Sequence, residues 1–316
     1  MLTMNNNITQ PKTQLKGIIF LLLTAIIWGT SFVSQSLGSA SVEAFTFTGV
    51  RTVIGALFLL PFIITRDKIS EKKMSKEEIQ KRKQIDKKTI KYGVIIGIFL
   101  CAATNFQQFA FYEPGASAGK IAFITAMYMF FVPIFGLVFF KKRIPLITWF
   151  CIFVGFIGLY FLCFETAGFE AINFGDVLTF ICAIFFTLQI LFIERFAPEC
   201  DGIKLSCVQF FTAGIISLVL MFIFESPNLS QIKEGILPIL YSGIMSCGFA
   251  YTMQVVGQKY CEATIASLLM CMESVFATIS AAIYLHETLT GREIIGCAVM
   301  FAAIIISQLS DKFKKK

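Results

Sequence analysis

The sequence predicts an all-α integral membrane protein: ten transmembrane helices arranged as two inverted five-helix repeats. Three observations carry this expectation. Of the 316 residues, 56% are hydrophobic and 15% charged, with mean hydropathy +0.76, whereas a soluble domain carries about 25% charged residues. Ten apolar stretches each approach the roughly twenty residues needed to cross a bilayer core of about 30 Å as a helix. Finally, 23 of the 27 Lys and Arg fall on one side once those stretches are threaded through a membrane, the positive-inside bias that orients such chains.

The first stretch, 16–37, follows the polar tail "MLTMNNNITQPKTQLKG". It is longer than the 7–15 apolar residues of a signal peptide and reads as a retained span after a cytoplasmic N-tail, 1–15. The second, 42–64, contains Arg51. Residues 65–91 hold eleven basic residues and read as a cytoplasmic loop with a solvated face. Spans follow near 92–112, 118–140 and 145–163, completing a first repeat at 16–163. The segment "ETAGFEAINFGD" supplies an extracytoplasmic linker, 164–173. The second repeat, 174–309, has spans near 174–192, 203–224, 235–257, 263–284 and 290–309, with a basic cytoplasmic C-tail at 310–316. The eighth span is the least apolar. Long continuous runs exclude a membrane β-barrel, whose strands would alternate over about ten residues.

With both termini on the basic side the number of spans is even. Five spans per half then put the second half in the membrane upside down, a common plan for carriers. Internal similarity is faint. Setting "MYMFFVPIFGLVFFKKRIP" (127–145) against "MESVFATISAAIYLHETLT" (272–290) matches Met127 with Met272, Phe131 with Phe276 and Ile134 with Ile279.

In order, "WGTSF" (28–32), Arg51 in the second span, "AGKIAFITAMYMFFVP" (118–133), "MESVFATISAAIYLHETLT" and Gly296 resemble the EamA-like branch of the drug/metabolite transporter (DMT) superfamily over residues 16–309. The resemblance implies a cavity between the repeats, an alternating-access cycle and export of a small metabolite across the cytoplasmic (inner or plasma) membrane. One departure is plain. Where many family repeats end the fourth span with Gly-Glu, the first repeat here has "KKR", and the second keeps a Glu only at Glu287 in "HET".

Ionisable residues at membrane depth cost roughly 2.5–3.5 kcal/mol on insertion scales, so they face a protein interior or a water-filled cavity. Arg51 lies about 14 Å into the second span and Glu273 about 15 Å into the ninth, at 1.5 Å per residue. Equal depth makes them a natural pair. Lys120 is only about 5 Å in and is placed either to line a cavity or to snorkel to water. A mid-membrane carboxylate such as Glu273 can bind a cationic group or exchange a proton as access alternates. Asn105, Gln108, Tyr128, Trp28 and Tyr251 add polar and aromatic groups of the kind that line a solute cavity, although interhelical hydrogen bonding is the simpler role for any one of them.

The expected function is therefore a secondary active transporter, an exporter of a small polar or amphipathic metabolite such as an amino acid or related compound. The expected site is Glu273, Lys120, Arg51, Asn105, Gln108, Tyr128, Trp28 and Tyr251. The alternative is a membrane-embedded enzyme acting on a lipid-linked substrate, disfavoured by a single histidine, His286. The chain carries no G-x-x-x-x-G-K-[ST] loop, so ATP is not its direct energy source. The ten cysteines form no C-x-x-C pair, and neither a cofactor nor a metal site is expected. The expected partners are a small-molecule solute, with or without a proton, and the lipid bilayer, but no nucleic acid. Monomer and homodimer both stay open.

Overall fold

The computed structural model describes residues 11–114, 118–142, 144–163, 173–284 and 290–313. Every regular element among them is helical. In chain order they are α1 (Pro11–Ser39), α2 (Ala44–Glu71), α3 (Lys76–Ala110), α4 (Ala118–Thr125), α5 (Tyr128–Phe140), α6 (Leu146–Cys163), α7 (Phe174–Phe196), α8 (Gly202–Phe224), α9 (Leu229–Glu234) and α10 (Ile236–Tyr241). A π-helical stretch (Ser242–Tyr251), α11 (Thr252–Gly257), α12 (Ala263–Met270), α13 (Met272–Tyr284) and α14 (Gly291–Phe313) complete the chain. Among the described residues, eight helical segments are long and apolar enough to cross a membrane, and the apolar helix Leu146–Phe161 is shorter.

The helices arise from apolar runs with defined ends. α1 is already helical at Pro11 and so takes in part of the expected N-tail. Asn173 and Asp176 cap α7 reciprocally, and Asp201 caps α8 through the N–H groups of Ile203 and Lys204. At the far end of α8, the Glu225 carboxylate accepts the N–H groups of Phe45 and Thr46 at 2.6 and 2.7 Å. It so satisfies two of the donors that the start of α2 leaves open.

One expectation is corrected. Residues 65–91 are not a loop: α2 runs on to Glu71, a short turn follows, and α3 starts at Lys76 behind a capping box of Ser75 and Glu78. The stretch is rich in Lys, Glu, Gln and Arg, polar residues that favour helix. Low hydropathy marks where the membrane ends, not where the helix does. This basic end is knitted by ion pairs. Asp67 meets Lys204 at 2.7 Å, Arg66 at 3.3 Å and also Arg82, while Arg66 reaches Asp201 at 2.6 Å. Beside them Lys259 donates to the carbonyl of Cys200 at 2.6 Å, and burial holds its ammonium below the usual lysine range.

The bundle packs α1 against α13 and against α10, the π stretch and α11. It packs α7 against α3 and α4–α5, α2 against α8, and α6 against α14. Close approach depends on small residues. A Cβ at Gly29 would lie 2.6–2.7 Å from Phe276 Cβ, Ala277 N and Glu273 O, so α1 touches the backbone of α13. By contrast, α4–α5 is held to α7 by charge at both ends. Lys120 pairs with Asp176 at 2.9 Å, and Lys142 pairs with Glu194, which also accepts the N–H of Ala263 at 3.0 Å.

Among the described residues, two helical rods are broken near mid-length. One breaks between α4 and α5 at Ala126–Met127, the other between α12 and α13 at Cys271. The breaks lie against each other, since Cys271 Sγ reaches the carbonyl of Ala126 at 3.6 Å.

Candidate functional site

Beside the crossed breaks lies a narrow cavity. Its volume is about 20 Å³. That is room for one or two waters. The cavity wall includes Trp28, Ser31, Phe32 and Gln35 from α1, Arg51 from α2, Gln107 from α3, and Thr125 and Tyr128 from either side of the first break. Phe186 and Ile190 come from α7, Ser246 and Tyr251 from the π stretch, Gln254 from α11 and Glu273 from α13.

Five of the eight residues singled out in the sequence meet here: Trp28, Arg51, Tyr128, Tyr251 and Glu273. Arg51 and Glu273 are 2% and 3% exposed. They share the wall, yet no ion pair joins them. Glu273 Oε1 instead accepts the hydroxyl of Tyr128 at 3.1 Å. The Arg51 guanidinium has no carboxylate within 4.0 Å among the described residues and lies over the Phe47 ring, 5.3 Å from its centroid. The rings of Trp28 and Tyr251 meet at 4.6 Å and are tilted by 59°.

The remaining three lie elsewhere. Asn105 faces α8, donating to Ser217 Oγ at 2.7 Å and to the carbonyl of Cys101 at 2.8 Å. Gln108 donates to the carbonyl of Gln35 at 3.4 Å. Lys120 is outside the cavity wall, in its ion pair with Asp176. Glu287 and His286 lie outside the described residues, as does nearly all of the linker at 164–173.

Sequence reasoning missed an amide cluster that runs back from Gln254 in the wall. Gln254 and Gln189 exchange hydrogen bonds at 3.1 and 3.3 Å, and Gln189 also donates to Gln209 at 3.5 Å. All three are buried. The signal was present: Gln189 is the one amide in the apolar run "FTLQILFI". Gln107 was passed over for its neighbours, yet it enters the wall and donates to Thr125 Oγ1 at 3.1 Å.

The π stretch shapes one side of the cavity. Such segments are rare and occur frequently at functional sites. A Cβ at Gly243 would lie 2.8 Å from the carbonyl of Arg51, so the stretch is pressed against the turn of α2 that carries the arginine.

Comparison with known proteins agrees with this architecture. The model of the EamA-like transporter family matches the chain in two segments, residues 15–164 and 173–309. An "Uncharacterized transporter" of Archaeoglobus fulgidus is 27% identical over 92% of this chain and 84% of its own length. One from Clostridium kluyveri is 26% identical over 94% of each chain. "Uncharacterized transporter YoaV" of Bacillus subtilis is 23% identical over 95% of this chain and 99% of its own. A solved structure titled "Crystal structure of protein" shares the fold with TM-score 0.74 at 16% identity, over 98% of this chain and all of that one. The two matched segments together take in all fourteen described α-helices except their outermost ends, and the chain belongs to the EamA-like transporter family.

Proposed function

We propose that this EamA-like transporter is a secondary active carrier that exports a small polar or amphipathic metabolite, an amino acid or related compound, by alternating access across the cytoplasmic membrane. In this reading α6 and α14 join the eight longer segments to give ten spans in two inverted repeats, 16–163 and 174–309. Both termini are cytoplasmic and the basic end faces inward. The two separate family matches support the duplication. So does the packing pattern, which maps onto itself when the halves are exchanged. The contact of α1 with α10, the π stretch and α11 corresponds to that of α7 with α3. That of α1 with α12–α13 corresponds to that of α7 with α4–α5, while α2·α8 and α6·α14 map onto themselves. The two breaks also fall at matching positions, 126–127 and 271.

The single observation that carries the carrier reading is that Arg51 and Glu273 are both buried in the wall of one central cavity without neutralising each other. A charge at membrane depth demands a partner or water, and a solute entering between them supplies the partner. In this conformation the free space is too tight for a metabolite, so loading requires one end of the bundle to open. Trp28, Tyr128 and Tyr251 form the walls that hold the solute. Lys120, Asn105 and Gln108 serve coupling and helix packing around it.

The test compares metabolites in cells with and without the protein, then measures movement of the compound that changes most across vesicles containing the purified chain. Saturable flux, lost in Glu273→Gln or Arg51→Gln variants that insert normally, is expected. Chemical conversion of a lipid by the same vesicles, with no solute flux, overturns the reading.

A further inference from the structure

Three hydrogen-bond donors on residues of the cavity wall lack a protein partner among the described residues: Arg51 Nε, Trp28 Nε1 and the hydroxyl of Ser31. Their residues are 2%, 9% and 1% exposed, and all three line the same space. Trp28 and Ser31 are three apart on α1 and so present neighbouring side chains. Arg51 reaches the space from α2. An unmade hydrogen bond on a buried donor costs about 1–3 kcal/mol, and more on a charged group. The contact of Arg51 with Phe47 recovers only part of this, since a cation–π contact is worth about 0.5–2 kcal/mol and satisfies no N–H.

We infer that Arg51, Trp28 and Ser31 form an oxyanion subsite that receives the carboxylate group of the transported solute. The inference rests on the carrier reading given above and adds to it the charge and orientation of the solute. A guanidinium offers a planar fork of N–H donors that matches the two oxygens of a carboxylate, while an indole N–H and a hydroxyl are further donors. Gln35 Oε1, one turn along α1, also lacks a partner among the described residues. An acceptor in that position turns toward a hydroxyl or N–H of the solute, not toward its anion. Among the described residues Glu273 is the one acidic group in the wall. Its Oε1 already accepts from the Tyr128 hydroxyl and a carboxyl group offers an anion no cationic partner, so the solute enters with its carboxylate toward Arg51 and its remaining body along Trp28 and Tyr251.

Trp28 is one of only two tryptophans, so it reports on its own subsite. In full-length protein carrying Trp149→Phe, reconstituted in lipid nanodiscs, Trp28 fluorescence is titrated with nitrate, a planar oxyanion that quenches indoles, at fixed ionic strength. The expected result is saturable quenching that acetate reverses by at least half and that caesium, a cationic quencher, does not reproduce. Arg51→Gln weakens the apparent nitrate affinity at least fivefold while acrylamide quenching stays the same, showing that the indole environment is intact. Should Arg51→Gln fail to fold, Ser31→Ala is expected to weaken nitrate two- to tenfold in a folded protein. Nitrate quenching that rises linearly and equally in wild type and variants overturns the subsite. Saturable oxyanion binding in a protein that moves no solute overturns the carrier reading and leaves the subsite standing. Flux with unaltered affinity in Arg51→Gln does the reverse.

Discussion

The hydroxyl of Tyr128 donates to Glu273 Oε1 at 3.1 Å, and each residue stands just beyond the break in its own helical rod. In the alignment that matches Met127 with Met272 and Phe131 with Phe276, Tyr128 falls opposite Glu273. The two meet beside the contact of Cys271 with the carbonyl of Ala126, one rod contributing a hydroxyl and the other a carboxyl group.

Glu273→Gln keeps an oxygen that can accept from Tyr128 but removes the charge. It is expected to melt within about 1 kcal/mol of wild type in detergent and to lose at least tenfold in flux. Tyr128→Phe instead leaves the carboxylate short of a donor, at a cost of about 1–3 kcal/mol. Thermal melting and vesicle flux on the two variants separate charge from architecture. A glutamine variant with full flux excludes a role for the charge.

The reciprocal amide pair of Gln189 and Gln254 behaves as a unit. Either Gln→Leu change strands the partner amide and is expected to destabilise by about 1–3 kcal/mol. The double variant Gln189→Leu/Gln254→Leu should lose clearly less than the sum, because coupled neighbours are not additive. Additive losses in a denaturation cycle would mean that the two amides act separately.

Gly29 has no room for a methyl group. Gly29→Ala would force the α1 and α13 backbones apart at the turn that bears Glu273. The expected cost is about 1–3 kcal/mol, with reduced flux and a lower melting temperature. Ala at Gly119, which has open space around it, is the control and is expected to melt as wild type does.

Lys120 and Asp176 hold α4 to α7 away from the cavity. Lys120→Gln is therefore expected to change the maximal rate of flux while leaving its KM within about twofold. The charge swap Lys120→Asp/Asp176→Lys should recover part of the rate lost in either single change. A KM raised tenfold by Lys120→Gln would place the ammonium on the solute's route instead.

Eight of the ten expected spans were legible because a run of about twenty apolar residues matches the thickness of a bilayer core and little else, and the expected 203–224 and 263–284 differ little from the helical segments found there. The break at Cys271 was not legible: "SLLMCMESVF" contains neither Gly nor Pro, so no local breaker announces the interruption. Arg51 and Glu273, expected at equal depth, line one cavity but form no ion pair, because depth along a helix leaves its rotation undetermined. The same gap accounts for α3. Periodicity puts Asn105 and Gln108 on one face, but α3 is packed against both α7 and α8, and it is Gln107 that enters the cavity wall.

The two halves are glued differently. Electrostatic clasps at Asp176 and Glu194 secure α7 to α4–α5, whereas direct van der Waals contact at Gly29 secures α1 to α13. Dissolved electrolyte loosens the more exposed Lys142 end of the first kind of adhesion, has little hold on the sheltered Lys120–Asp176 pair, and leaves the second kind untouched. One interhelical seam thereby acquires a grip that answers in part to ionic surroundings, while the other is indifferent to them.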